Sequence, residues 1–203
     1  MHQEEVWVAE ALCGDQDAFS QLVDAYKVPV YNLCYRMLGS PTEAEDAAQE
    51  SFVRIYTRLK TYDRQQKLSS WILAVASHYC IDRLRRRRIR WLSLGEVAPV
   101  RLLSGNEAQP EDAAIGRESC EEVQRLLQAL PAEHRMAIVL RYWQDLSYVE
   151  IAQVMGTTES AIKSRLHRAR RMLAQLVIAQ GDLGTQQAGK AQESKRMAHN
   201  ALL

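Results

Sequence analysis

From Phe19 onward, apolar residues recur every three or four positions, which is the period of a helix with one buried side. Phe19, Leu22, Val23 and Tyr26 mark a first amphipathic helix with Asp15 or Asp17 near its start. Val30, Leu33, Met37 and Leu38 continue the pattern after Pro29, and it stops at Gly39. Ser40-Pro41-Thr42-Glu43 then combines a capping box with proline at the first helical position, so a new helix starts there and runs to about Leu59. Its Ala48, Phe52, Ile55 and Leu59 face a core, while Asp46, Gln49, Glu50, Val53, Arg54 and Thr57 occupy the other side. Thr61 to Ser70 is polar and reads as a loop. Helix resumes at about Ser69 and runs into a stretch of arginines.

Residues 93–116 break the pattern with Gly95, Pro99, Gly105 and Pro110 and read as a linker. Two helices follow, Arg117 to Leu130 and Ala132 to Trp143, divided by Pro131. Ser147 and Glu150 form another capping box, and Ile151, Val154 and Met155 give the helix that starts there one apolar side. Gly156 suits a left-handed end cap, and Thr157-Thr158-Glu159 suits a short turn into a last helix. There Ile162, Leu166, Ala169, Leu173 and Leu176 face a core. Ser160, Lys163, Ser164, His167, Arg168 and Arg171 fall on the opposite face. The tail from Gly181 carries Gly184, Gly189 and many Gln, Ala and Lys residues and reads as a mobile extension. The predicted fold is all-α. Two small helical domains (1–92 and 117–179) are joined by a flexible acidic linker (93–116) and followed by a flexible tail (180–203). The second domain ends in a helix-turn-helix without a wing.

Charge sharpens this picture. The net charge is only +1, which argues against a general DNA-coating protein. Its distribution is uneven, with six arginines between Arg83 and Arg90, then seven acids against two arginines over 93–122, then eight bases against four acids over 123–178. Two basic zones separated by an acidic connector suggest two nucleic-acid contacts on one chain. Short hydroxyls at the start of the last helix, followed by cations, suit a helix laid in the major groove. A solvated basic face is the bland alternative. The acidic start, Met1 to Glu5, carries no signal-peptide pattern, and no run approaches a membrane span, so a cytoplasmic protein is expected. Cys13, Cys34, Cys80 and Cys120 have no paired spacing, so reduced and mostly buried thiols are expected, with no metal or other cofactor.

Several motifs in order resemble the bacterial sigma-70 family of RNA polymerase sigma factors, in its small two-domain extracytoplasmic-function (ECF) class. The N-terminal landmarks are Ala44 to Phe52, Ser70-Trp71-Ile72-Leu73 and Ile81 to Arg86. The C-terminal ones are Leu130-Pro131, Val139 to Tyr142, Tyr148 to Ala152 and Ala161 to Arg170. The resemblance covers about Gly14 to Leu176.

It implies a non-enzymatic specificity subunit that binds core polymerase and directs initiation from promoters. The first domain would dock on the coiled coil of the largest polymerase subunit through Asp46, Gln49, Glu50, Val53 and Arg54. The same residues read equally as a solvated helix face. This domain would also open the −10 element, with Tyr62, Asp63, Arg64, Lys67, Ser69, Trp71, His78, Asp82, Arg83 and Arg86 as contacts. Stacking platforms and cations suit single-stranded bases, although Tyr62, Trp71 and Tyr79 read individually as packed residues. The second domain would sit at the flap of the second-largest subunit. It would read the −35 duplex with Ser160, Lys163, Ser164, Arg165, His167, Arg168 and Arg171. Arg165 lies nearer the apolar edge and suits a phosphate.

His78 stands where the family commonly has Asn, and Ala161 where Thr is common, so promoter preferences do not transfer from relatives. An anti-sigma protein is a further partner that the resemblance implies. Two other readings differ in class. One is a stand-alone helix-turn-helix regulator, for which no dimer seam is seen. The other is a nucleic-acid enzyme, for which Asp46 and Glu50 lack a second ligand pair.

Overall fold

The computed structural model describes the backbone of residues 3–93 and 114–200 and the side chains of 3–89 and 120–179. The described residues form helices and turns without a strand. The order is α1 (Gln3–Leu12), α2 (Gln16–Leu38), α3 (Pro41–Arg58), a 3-10 turn (Leu59–Thr61), α4 (Leu68–Ser93), α5 (Ala114–Gln128), α6 (Ala132–Tyr142), α7 (Tyr148–Val154) and α8 (Glu159–Asn200). Most of the expected linker lies outside the described residues.

Helix α2 is the spine of the first domain. The Asp15 carboxylate accepts from the backbone N–H groups of Asp17 and Ala18, which starts the helix. Leu22, Tyr26, Val30, Leu33 and Met37 recur at helical spacing and are buried against α1, α3 and α4. The helix runs through Pro29 without a break. Proline offers no N–H to the turn before it, but burial of Tyr26 and Val30 on either side holds the two halves in one line. The core side of α3 is rotated from the expected one: Ala44, Ala47, Ala48, Ser51 and Ile55 are buried, and Phe52 is only half-buried. Ser51 enters the core because its hydroxyl donates to the Ala47 carbonyl at 2.6 Å. Helix α1 was not anticipated. It closes over the loop before α4, and the Tyr26 hydroxyl donates to Glu4 Oε1 at 2.8 Å.

In the second domain α6 is covered on every side, with six successive buried residues from Arg135 to Leu140, because it packs on both α8 and α2. The capping box on α7 is present as expected, with Ser147 and Glu150 satisfying each other's backbone N–H. Gly156 is left-handed at φ 60°. Ile162, Leu166 and Ala169 are buried, and Leu173 and Leu176 half-buried. α8 continues to Asn200, so the backbone over 180–200 is helical.

The two domains meet at the end of α2. The last carbonyls of a helix have no partner within it. Gly39, at φ 83°, turns the chain and gives its N–H to the Tyr35 carbonyl at 2.8 Å. Further donors to the Tyr35, Arg36 and Met37 carbonyls come from the other domain. Gln124 Nε2 donates to the carbonyls of Tyr35 and Arg36, both at 3.1 Å. Gln128 Nε2 reaches those of Arg36 and Met37 at 3.3 and 3.4 Å. Arg135 Nη1 also donates to the Met37 carbonyl. Arg135 as a whole is 5% exposed. Burial lowers its pKa to about 10, so it stays charged at neutral pH, as the negative end of a helix dipole favours.

Gly39 and Gly156 both hold left-handed backbone, which costs an L-residue about 1–2 kcal/mol. A Cβ at Gly39 would also lie 2.8 Å from Gln128 Nε2, whereas one at Gly156 meets nothing within 4 Å. Gly39→Ala should therefore lower the urea unfolding midpoint more than Gly156→Ala. Equal losses would show that Gln128 does not press on this turn.

Candidate nucleic-acid interface

The basic face of α8 forms as its sequence requires. Burial of Ile162, Leu166 and Ala169 fixes the rotation of the helix, and Ser160, Lys163, Ser164, His167, Arg168 and Arg171 are all exposed. Thr158 Oγ1 accepts from the Ala161 N–H at 3.2 Å and caps the helix start. Lys163 is held by Glu159 one turn earlier at 2.7 Å, which raises its pKa. Arg165 differs from the rest. It is half-buried, pairs with Glu133 at 2.7 Å and approaches Met155 Sδ at 3.9 Å.

The other candidate contacts separate into three places. The first is the loop before α4, which borders a cleft of about 480 Å³ lined by Tyr62, Arg64, Lys67 and Ser69, with Glu4 and Glu5 of α1 on the opposite wall. Tyr62 donates its hydroxyl to the Gln66 carbonyl at 2.8 Å, and the Asp63 carboxylate accepts from the Gln65 N–H at 2.9 Å, so the loop is internally braced. Trp71 is half-buried and packs at 5.5 Å from the Tyr62 ring, which makes it support for the loop. Glu4 and Glu5 were missed at this site. The signal available was the hydroxyl of Tyr26, which would need a partner if buried.

The second place is a smaller cleft of about 240 Å³ lined by Arg54, Tyr79, Asp82, Arg83 and Arg86. Arg54 had been read with the polymerase face. Glu50 holds its Nε at 3.0 Å and its guanidinium lies 4.6 Å above the Tyr79 ring, which turns it toward these arginines. Arg83 faces Asp46 at 3.7 Å, so Asp46 and Glu50 each pair with a cation of this cleft. Gln49 and Val53 remain exposed on α3, with Val53 at 57%.

The third place lies between the domains. His78 of α4 and Arg165 of α8 line one cavity of about 340 Å³. Beside it, Lys67 of the loop pairs with Glu150 of α7 at 2.6 Å. That hydrogen bond and those from Ser147 hold the Glu150 carboxyl at about 2.

Cys34 and Cys80 are buried with sulfurs 3.7 Å apart, whereas Cys13 and Cys120 are exposed, so only two of the four thiols are buried. Among the described residues no helix is long and apolar enough to cross a membrane.

A depressed carboxyl contributes stability that is complete above its ordinary value, 4.5 for Glu150, and is lost as pH falls toward about 2. The stability gap between wild type and Glu150→Gln should therefore shrink as pH is lowered through that window, as read from urea midpoints. A gap that stays constant would mean that the carboxylate's hydrogen bonds contribute nothing.

Two family models match the chain. Residues 22–89 match Sigma-70 region 2, and residues 120–173 match Sigma-70, region 4. The chain is 39% identical over 166 residues to the ECF RNA polymerase sigma factor SigW of Bacillus subtilis, a match spanning 79% of this chain and 89% of that one. It is 33% identical over 173 residues to the ECF sigma factor BldN of Streptomyces coelicolor, spanning 84% of this chain and 64% of that one. Among solved structures, CnrH in complex with the cytosolic domain of CnrY has a TM-score of 0.64 at 24% identity, over 88% of this chain and 99% of that one. The sigma factor RpoE of Bartonella quintana, in complex with the anti-sigma factor NepR, has a TM-score of 0.63 at 21% identity, over 78% and 96%. These two share the fold. The chain therefore belongs to the sigma-70 family, as an ECF RNA polymerase sigma factor that directs promoter-specific transcription initiation.

Proposed function

We propose that each domain reads one promoter element and that α3 docks on core polymerase. The observation that carries this is the division of α8 into a buried apolar side and an exposed face of two hydroxyls, Lys163, His167, Arg168 and Arg171. That face reads the −35 duplex: the hydroxyls and Lys163 near the helix start meet base edges, and the later cations meet phosphates. Arg165, held by Glu133, clamps backbone at the edge of the groove.

At −10, the cleft bordered by Tyr62, Arg64, Lys67 and Ser69 takes an unstacked base. Arg54, Arg83 and Arg86, gathered around Tyr79, hold the phosphates beside it. His78 sits on the same helix and can donate or accept, so it tunes which base is preferred.

Gln49 and Val53, with Asp46 and Glu50 at their edge, form the docking face for the largest subunit's coiled coil. An exposed apolar residue ringed by polar groups suits such an interface. The second domain sits at the flap, and the linker runs along the polymerase toward its active-site and RNA-exit channels. The chain acts as a non-enzymatic subunit in the cytoplasm, where its polymerase and promoters are. An anti-sigma protein is a partner that fits, since the RpoE relative was solved with one.

Lys163→Ala and Arg168→Ala should each weaken binding to a −35 duplex by about 1 kcal/mol or more, measured by titration of labelled DNA. Unchanged affinity in both would remove the assignment of this face. Val53→Asp should lower affinity for core polymerase and leave duplex binding intact. Core binding that survives it would move the docking face elsewhere.

A further inference from the structure

The cleft before α4 has two unlike walls. Arg64 and Lys67 stand on the loop side, and Glu4 and Glu5 of α1 stand opposite. Among the described residues neither glutamate pairs with a cation across this space; Lys67 pairs with Glu150 instead. Val8 and Leu68, both buried, add apolar surface to the lining. A space of about 480 Å³ is that of a small-ligand pocket. Carboxylates accept hydrogen bonds and repel phosphate. The acidic wall therefore suits a neutral, flat group that carries hydrogen-bond donors.

Of the two acids, Glu4 is the one held in place. Burial of Val8 and Ala11 fixes the rotation of α1. The Tyr26 hydroxyl, on a buried side chain of α2, donates to Glu4 Oε1 at 2.8 Å. Burial of Tyr26 and the carboxylate beside it raise the pKa of that hydroxyl, so it keeps its proton and its hold on Glu4. Among the described residues, Glu4 Oε2 has no hydrogen-bond partner. Glu5, next in the chain, is exposed and untethered.

We propose that Glu4 is a specificity-determining residue for the −10 element: its Oε2 accepts a hydrogen bond from the exocyclic amino group of the unstacked base and so discriminates against thymine. This rests on the reading of the cleft as a base site given above. Cytosine, adenine and guanine each carry an exocyclic amino group, and thymine carries none. The thymine N3–H is flanked by two carbonyl oxygens, so a carboxylate that approaches it meets like partial charge on both sides. A charge-assisted hydrogen bond kept in one case and lost in the other separates the bases by about tenfold. The negative wall also keeps phosphates on the loop side, beside Arg64 and Lys67.

The test is transcription by core polymerase and the full chain from a promoter library randomised over −10, with the transcripts sequenced. Wild type should disfavour thymine by about tenfold at one −10 position. Glu4→Gln keeps an oxygen for the Tyr26 hydroxyl and turns a donor, Nε2, toward the base. The ratio of thymine to cytosine or adenine at that position should then rise about tenfold or more. Tyr26→Phe releases the carboxylate and should weaken the same preference without reversing it. Glu5→Gln should change it little.

An unchanged base ranking in Glu4→Gln would overturn the proposal. So would a wild type that favours thymine, or is indifferent to it, at every −10 position. An equal shift in Glu5→Gln would also overturn it, because wall charge and not a placed acceptor would then set the choice. If Glu4→Gln fails to fold, Tyr26→Phe decides: an unchanged ranking there removes the placed acceptor. Arg64→Ala, on the opposite wall, tests the underlying reading separately. Weakened −10 selection in Arg64→Ala with no effect of Glu4→Gln removes only the role of Glu4. A −10 block untouched by Arg64→Ala and by Glu4→Gln removes the base cleft itself.

Discussion

The carbonyls at the end of α2 set the geometry of this molecule. A 23-residue helix that stops inside the protein leaves acceptors that must be filled. Gly39 fills one by turning left-handed, and that same turn starts α3 through the Ser40 cap. Those of Arg36 and Met37 are filled from α5 and α6, through residues about ninety positions further along the chain. Arg135 lies in α6, and α6 is the floor on which α7 and α8 pack. Completing one helix end thereby positions the recognition helix relative to the loop before α4. The Lys67–Glu150 pair and the shared cavity of His78 and Arg165 follow from that placement.

The helix-turn-helix was legible because its signals are local. A capping box, a left-handed glycine and a 3-4 apolar repeat each depend on neighbours within one or two turns. At the start of α3 Ser40 accepts from the Glu43 N–H and Pro41 takes the first position, but the expected box is only half formed, because the Glu43 carboxylate pairs with Arg87. Other features depend on partners far away in the chain. Gln124 and Gln128 look like ordinary polar positions on an amphipathic helix. Their partners are backbone carbonyls, which carry no side-chain signature, so nothing in the sequence marks the join. Arg54 was grouped with the polymerase face from the family resemblance and its place on the outward side of α3. A long side chain can leave its own face, and the Tyr79 ring and Glu50 turn it toward the arginines. Ser51 took a core place because a hydroxyl can satisfy itself on the preceding turn.

Several cations assigned to DNA contact are paired with the protein's own acids. Lys163 rests on Glu159, Arg83 on Asp46 and Lys67 on Glu150. The Lys163–Glu159 pair is exposed on both sides and weak, whereas Glu150 is partly buried and more firmly held. If these cations meet DNA as proposed, exchange of carboxylate for phosphate would make promoter affinity depend on salt. On the proposed reading, these acids would stand in for the DNA backbone in the free chain, and Glu150 also caps α7.

The central claim is a division of labour, in which one domain reads each promoter element. Transcription from a randomised promoter library, with core polymerase and the purified chain, tests it most directly when the RNA 5′ ends are sequenced for wild type and for a variant lacking the Lys163 and Arg168 side chains. Wild type should select two separate sequence blocks upstream of its start sites, and the variant should lose the upstream block alone. Loss of both blocks together, or starts that share only one block, would contradict the division between the domains.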